Sequence, residues 1–340
     1  MLPYLILFIL IFLISLEHKK SDNKLAGFNW FLVFVIFIFF VGLRYNTGGD
    51  FEIYYELYLK PKEVNTQFFY NFITSFFYQI NLPFQLIVFL CACIFFFALF
   101  KFSLLQNSPY LSIYISFPIL ITVVSMGYMR QSLSLAFLFL AINSFYKRNN
   151  FFYYLNLLFG ILFHLSLLII FPIKQFAENS NLILYFVATI IFLVFFYLFY
   201  DAFFILINSY YYSSQSIESL GAIPRIMLNI IPSIIYIIYY KKFFFEKRIK
   251  RLYLFIAICS IFSSFFVFSY STLIDRINIY FIPIQLFVYS NMENIFKYKI
   301  NHIYMILFVV FLYFIYFLIW SFYGSFSHAW FPYKNILFEL

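Results

Sequence analysis

The sequence predicts an all-α, polytopic integral membrane protein that forms a single transmembrane domain over residues 1–340. Three observations predict it. The chain is 65% hydrophobic and only 10% charged, where a soluble domain carries roughly one-quarter charged residues. Apolar runs near the ~20 residues needed to cross a bilayer recur along its whole length. Basic residues gather in short clusters between those runs, the pattern that marks cytoplasmic loops. Topology therefore accounts for the net charge of +9, and nucleic acid is excluded as a partner.

The runs cover residues 2–16, 28–43, 83–100, 110–127, 129–146, 151–173, 181–201, 226–240, 252–270, 277–290 and 302–322. The first lacks a preceding basic residue and a small-x-small cleavage site, so it is expected to be a retained helix rather than a signal peptide. Cys91, Cys93 and Cys259 lie in apolar runs without C-x-x-C spacing and are expected to be packing residues. The segment "FFYNFITSFFYQ" at 68–79 is short and aromatic, which suits a helix lying in the outer interface.

Orientation follows from the basic clusters Lys19/Lys20/Lys24, Lys147/Arg148, Lys241/Lys242 with Lys247/Arg248/Lys250/Arg251, and Lys297/Lys299. Placing them in the cytoplasm puts the loops 44–82 and 202–225 outside. Between 147–150 and 241–251 an even number of crossings is then required, yet three apolar runs lie there. One run must double back. The best candidate is "FFYYLNLLFGILFHLSLLIIFPI" at 151–173, which carries Gly160 and Pro172 and has His164 near its middle. Two half-length helices with His164 at the apex restore parity, and such backbone is tolerated only where protein buries it or water reaches it. The alternative is a single kinked helix. The expected architecture is about 10 full spans plus a helical hairpin, or 11 to 12 spans.

With this topology Arg44, Arg130, Arg225 and Arg276 fall at outer ends of apolar runs, whereas almost all lysines are inside. A cation held there costs a few kcal/mol unless something pairs with it. Guanidinium forks suit phosphate oxygens bidentately, so four around one outer cavity would make a pyrophosphate site. The plainer reading has each arginine reaching the interface or pairing with an acid, Arg44 with Asp50 and Arg276 with Asp275. In "GLRYNTGGDFEIYY", Gly48 and Gly49 allow close approach to a ligand, Asp50 supplies a carboxylate, and Tyr54 and Tyr55 offer faces for sugar rings. Alternatively, Asp50 caps a helix running from Phe51.

These residues resemble the Wzy/EpsG-type bacterial polysaccharide polymerases. The resemblance rests on "GLRYNTGGDFEIYY", "MRQSLSLAF", "ILFHLSLLIIFP", "DRINIYF" and "WFPYKN", in that order from residue 42 to 335. Phe51 departs from the pattern, since family members often carry tyrosine after the aspartate. The resemblance implies a membrane fold related to the lipid-sugar-dependent glycosyltransferases. It implies an enzyme of the bacterial inner membrane that joins undecaprenyl-pyrophosphate-linked oligosaccharide repeat units, at the outer face, into O-antigen, capsule or exopolysaccharide. The lipid-linked oligosaccharide and membrane lipid are its expected partners, and a chain-length regulator protein is a candidate one.

Under that reading Arg130 and Arg276 stabilise the departing pyrophosphate, with Arg44 and Arg225 in support. His164 is the favoured base, with Asp50 as competitor. Gln131, Tyr54, Tyr55 and Tyr280 complete the expected binding residues. A lipid-pyrophosphate leaving group needs no cofactor and no metal, and no carboxylate pair at metal-ligand spacing appears on the outer side. Three alternatives stand beside it. An O-antigen ligase would share the donor but usually has a larger outer loop than 202–225. A flippase or transporter would show charges in mid-membrane and broken helices in matching halves. A membrane acyltransferase would need a donor that is usually cytoplasmic.

Overall fold

The computed structural model describes residues 1–15, 24–60, 68–178, 221–295 and 299–339, and every regular element among them is helical. The expected span at 181–201, nearly all of the 202–225 loop, and Lys19, Lys20 and Lys297 lie outside the described residues. The described helices are α1 (Leu2–Ser15), α2 (Lys24–Gly42), α3 (Phe51–Leu59), α4 (Phe68–Gln79), α5 (Phe84–Ser103), α6 (Pro109–Ser116), α7 (Met129–Tyr146), α8 (Asn150–Phe163), α9 (Ile173–Ala177), α10 (Ala222–Tyr239), α11 (Lys247–Ser264), α12 (Ser271–Asn278), α13 (Pro283–Ser290), α14 (Lys299–Tyr323) and α15 (Ile336–Glu339). Among them, Phe84–Ser103, Ala222–Lys242 and Ile303–Tyr323 are long and apolar enough to cross a membrane, and several shorter apolar helices accompany them.

Two runs differ from the expected plain spans, each at a proline. Past α6 the chain continues as a π-helical stretch, Phe117–Ser125. Pro118 has no N–H to give the α-ladder, and the wider register brings the Thr122 hydroxyl onto the Phe117 carbonyl at 2.9 Å. The run expected to open at 277 instead begins as α12 and passes through a 3-10 turn, Ile279–Phe281. It restarts at Pro283, which sits at the first helical position where a missing N–H costs nothing. Arg276 therefore lies in the last turn of a short helix rather than at the start of a long one.

Helix α7 packs against both α5 and α8 and links the two ends of the molecule. It carries Arg130 near its start and Tyr146 at its end, roughly 24 Å apart at 1.5 Å per residue. At the Tyr146 end the basic clusters meet. Arg148 and Arg248 both bond to Glu246, and Arg248 also donates to the Tyr146 carbonyl.

The segment after α8 doubles back. His164 is extended (φ −155°, ψ 113°), a 3-10 turn covers Leu165–Ile170, and α9 follows. The returning arm lies against the outgoing one. A Cβ on Gly160 would stand 2.4 Å from Leu167, and Lys174 sits 4.6 Å above the Tyr154 ring. Its end reaches the basic end of the molecule, where Glu178 lies 3.7 Å from Arg248. The geometry is that of the hairpin, with His164 at the apex.

Aromatic packing fills the interior. Phe8 stacks on Tyr114 and Phe117 at 4.4 and 4.8 Å, tying α1 to α6 and the π-helical stretch. Cys91 is buried in this packing, Cys93 and Cys259 are half-buried, and all three are free thiols.

Candidate active site

The turn after α2 is shaped by what it touches. Arg44 is 1% exposed, and its guanidinium donates to three backbone carbonyls: Thr47 at 3.1 Å, Val41 at 2.7 Å and Met126 at 3.1 Å. It is bonded to neither Asp50 nor open space. Arg44 thus ties its own turn to the segment leading into α7, and its expected part in a pyrophosphate cluster is replaced by a structural one. Gly48 adopts φ 113°, and a Cβ there would come within 2.2 Å of the Met126 carbonyl oxygen. Only glycine takes both that conformation and that contact without strain. Gly127 likewise lies under the Trp330 ring, 2.6 Å from where its Cβ would be. Gly48 and Gly127 therefore serve close packing inside the protein, while Gly49 is exposed.

The C-terminal "WFPYKN" segment closes this arrangement. Gly48 N–H donates to the Ala329 carbonyl, Tyr45 N–H to the Lys334 carbonyl, and the Trp330 indole to the Thr122 carbonyl. Residues more than 280 apart in sequence thus hold one turn.

Asp50 begins α3 from the capping position, but its carboxylate makes no capping bond. It forms no ion pair within 4.0 Å among the described residues and is half-buried. Burial raises its pKa above the usual carboxylate value, and the nearby Arg276 and Arg130 guanidiniums pull it back down. Asp50 thus faces the two arginines across the site.

Both arginines rest on aromatic rings. The Arg130 guanidinium lies 5.1 Å over Tyr54 and 5.9 Å over Tyr70, and the Arg130 backbone N–H donates to the Tyr54 hydroxyl at 3.5 Å. Arg276 lies 3.7 Å over Tyr128. Gln131 is buried and clamps Arg276, donating to its carbonyl at 2.7 Å and accepting from its Nη1 at 3.3 Å. The charges of Arg276 and Arg130 also reach the His164 ring.

His164 is 8% exposed and anchored through a file of hydroxyls. Its Nδ1 is 2.6 Å from Ser166 Oγ, Ser166 donates to Tyr280 at 3.2 Å, and Tyr280 donates to Ser134 at 3.2 Å. With each hydroxyl proton passed onward, Ser166 accepts from the ring, so Nδ1 carries the hydrogen and Nε2 keeps its lone pair. Tyr280 is fully buried. Its hydroxyl stands between Ser166 and Ser134.

Arg225 has an acidic partner of its own. It makes a two-pronged ion pair with Asp275, with both side chains largely buried. Asp275 is thus taken by Arg225 and not by its neighbour Arg276, because adjacent helical residues point about 100° apart. Tyr54 and Tyr55 diverge for the same reason. Tyr54 is 2% exposed under Arg130, while Tyr55 is 45% exposed on another face of α3.

The structure therefore brings together Asp50, Arg130, Gln131, Arg276, His164, Tyr54 and Tyr280, and commits Arg44 and Arg225 to internal partners. Tyr128, Tyr70 and Ser134 were not named as site residues from sequence, whereas Ser166 lies in the "ILFHLSLLIIFP" stretch and Trp330 opens "WFPYKN". The Tyr128 ring precedes the arginine-glutamine pair by two residues, and a ring beside a cation is the one signal that would have found it.

The family model described as the EpsG family matches residues 27–335, which include every residue gathered here. The chain belongs to the EpsG family. No curated protein and no solved structure matches it. In this EpsG-family chain no group of three His, Cys, Asp or Glu residues able to hold an ion occurs among the described residues.

Proposed function

We propose that this protein is a membrane glycosyltransferase that joins oligosaccharide repeat units carried on undecaprenyl pyrophosphate, working at the outer face of the bacterial inner membrane. Membership of the EpsG family supports the reading. The observation that carries it is the set of two ring-supported arginines, Arg130 over Tyr54 and Arg276 over Tyr128 with Gln131 clamping it, beside a His164 anchored on Ser166.

The chemistry divides among these residues. A hydroxyl oxygen of the acceptor sugar attacks the anomeric carbon of the donor sugar, forming the new glycosidic bond. The bond from that carbon to the pyrophosphate oxygen breaks, and the electron pair leaves with the lipid pyrophosphate. Arg130 and Arg276 stabilise the charge that builds on the leaving oxygens, and they are fixed before the reaction begins, which is where such stabilisation is most effective. The acceptor proton passes to Nε2 of His164, whose lone pair the Ser166–Tyr280–Ser134 file keeps available. Asp50 orients the acceptor hydroxyl and offsets the two cations.

An O-antigen ligase would use the same donor and the same arginines; a flippase would need neither His164 nor Asp50. The test is polymer formation in cells. His164→Ala and Arg130→Ala should each abolish polymer at unchanged protein level. Full-length polymer from both variants would overturn the reading.

A further inference from the structure

The face of α3 turned away from Arg130 borders a groove of about 630 Å³, lined by Tyr45, Asn46, Glu52, Tyr55, Glu56 and Gln85 together with apolar residues. Tyr45 and Tyr55 are each 45% exposed. Their rings are fixed by edge-on neighbours, Tyr45 by Phe51 at 6.3 Å and Tyr55 by Phe84 at 5.6 Å. Glu52 and Glu56 stand one helical turn apart and are exposed, with no ion pair within 4.0 Å among the described residues. Gln85 spends its amide N–H groups on the Gly42 and Arg44 carbonyls, so its oxygen is the polar atom it can offer.

Flat rings bordered by carboxylate and amide oxygens are the chemistry of carbohydrate binding. The C–H face of a pyranose covers an aromatic ring, and its hydroxyls donate to the surrounding oxygens. The sign of the groove narrows the ligand. Among the described residues no lysine or arginine lines it, in a chain of net charge +9. An acidic sugar would be repelled there, whereas a neutral or amino sugar would not. The groove also starts in the first turn of α3, immediately after Asp50.

We propose that this groove is a second glycan subsite, which holds a neutral or amino-bearing stretch of oligosaccharide beside the reacting sugars. This rests on the reading that the site acts on oligosaccharides. The rings and carboxylates of α3 then serve two ends at once: Tyr54 supports Arg130 on one side, and Tyr55, Glu52 and Glu56 bind glycan on the other.

The test measures binding of lipid-free oligosaccharides to the full-length protein in lipid nanodiscs. The probes are a size-graded series released by mild acid from the surface polysaccharide of the strain that makes the protein, and oligogalacturonate as the acidic comparison. Such probes carry no leaving group, so binding is read without turnover. Tyr55→Ala should weaken binding of the neutral series about tenfold, and Glu52→Gln with Glu56→Gln about threefold, at unchanged melting temperature. Oligogalacturonate should bind at least about tenfold more weakly than the neutral series, and the double glutamine variant should narrow that gap. No binding by the unaltered protein, or affinities unmoved in both variants, overturns the groove. A protein inactive as a polymerase that still loses oligosaccharide on Tyr55→Ala would sink the catalytic reading and leave the subsite standing. A working polymerase whose oligosaccharide affinity ignores these changes would sink the subsite alone.

Discussion

Gln131 and Arg276 hold one another by two hydrogen bonds that run in opposite directions, 2.7 Å from the glutamine amide to the arginine carbonyl and 3.3 Å from the guanidinium to the glutamine oxygen. They lie 145 residues apart in sequence, and this contact sets where Arg276 stands relative to Arg130 on the adjoining position of α7.

Removing that clamp should lower the turnover of the protein that stays folded. Gln131→Ala deletes two bonds worth about 1 kcal/mol for the neutral one and up to about 3 kcal/mol for the charged one. Misplacing Arg276 should lower turnover by roughly 10²-fold. Protein level and lipid-pyrophosphate turnover measured side by side check this, and parallel losses of both would mean that the residue is only structural.

Asp50 gives a pH signature. Its folded-state pKa lies above the ordinary carboxylate value because burial outweighs the pull of Arg276 and Arg130. The folded state therefore holds the proton more tightly than the unfolded chain does. Stability is fully present below the unfolded value and is lost as pH rises through the folded one. Asp50→Asn, which cannot ionise, should melt higher than the unaltered protein at neutral pH, and the gap should close in acid. The same variant should lose polymerase activity. Melting curves taken across pH decide it.

The Arg225–Asp275 pair should behave as a buried ion pair. Asp275→Asn removes the carboxylate from this buried ion pair and should destabilise by about 3–5 kcal/mol. Replacing both residues with leucine should recover most of that loss, because no unpaired charge remains. Thermal unfolding of the single and double variants, read together with polymer formation, distinguishes this from a direct part in binding the substrate, where the double variant would be stable but inactive.

The doubled-back segment predicts a side. Glu178 lies beside Arg248 in the basic 241–251 region, so a cysteine placed at 178 should be labelled from the same face of the membrane as one placed at Lys241. Labelling from the opposite face would mean that residues 150–178 cross the membrane once. Lys174 is a poorer reporter because its side chain is buried.

How much of this was legible depended on what kind of partner each residue took. The helices followed from apolar runs, and the doubling back at His164 followed from counting crossings between basic clusters. Arg130, Gln131 and Arg276 were found as polar residues interrupting such runs. The role of Arg44 was hidden, because its partners are the backbone carbonyls of Val41, Thr47 and Met126, which every residue type possesses. The plainer alternative paired Asp275 with its sequence neighbour, but helical geometry turns adjacent side chains apart and offers it to Arg225 on α10 instead. The Ser166–Tyr280–Ser134 file joins three distant segments through hydroxyls, residues too common in the chain for their spacing to stand out. Trp330 reached Gly127 only through tertiary packing.

The central claim is that Arg130 and Arg276 grip one lipid-linked diphosphate. The most direct measurement is the affinity of the purified protein, in nanodiscs, for undecaprenyl pyrophosphate without any sugar. Arg130→Ala and Arg276→Ala should each weaken it by about tenfold or more. Binding as tight as that of the unaltered protein in both variants would contradict the account.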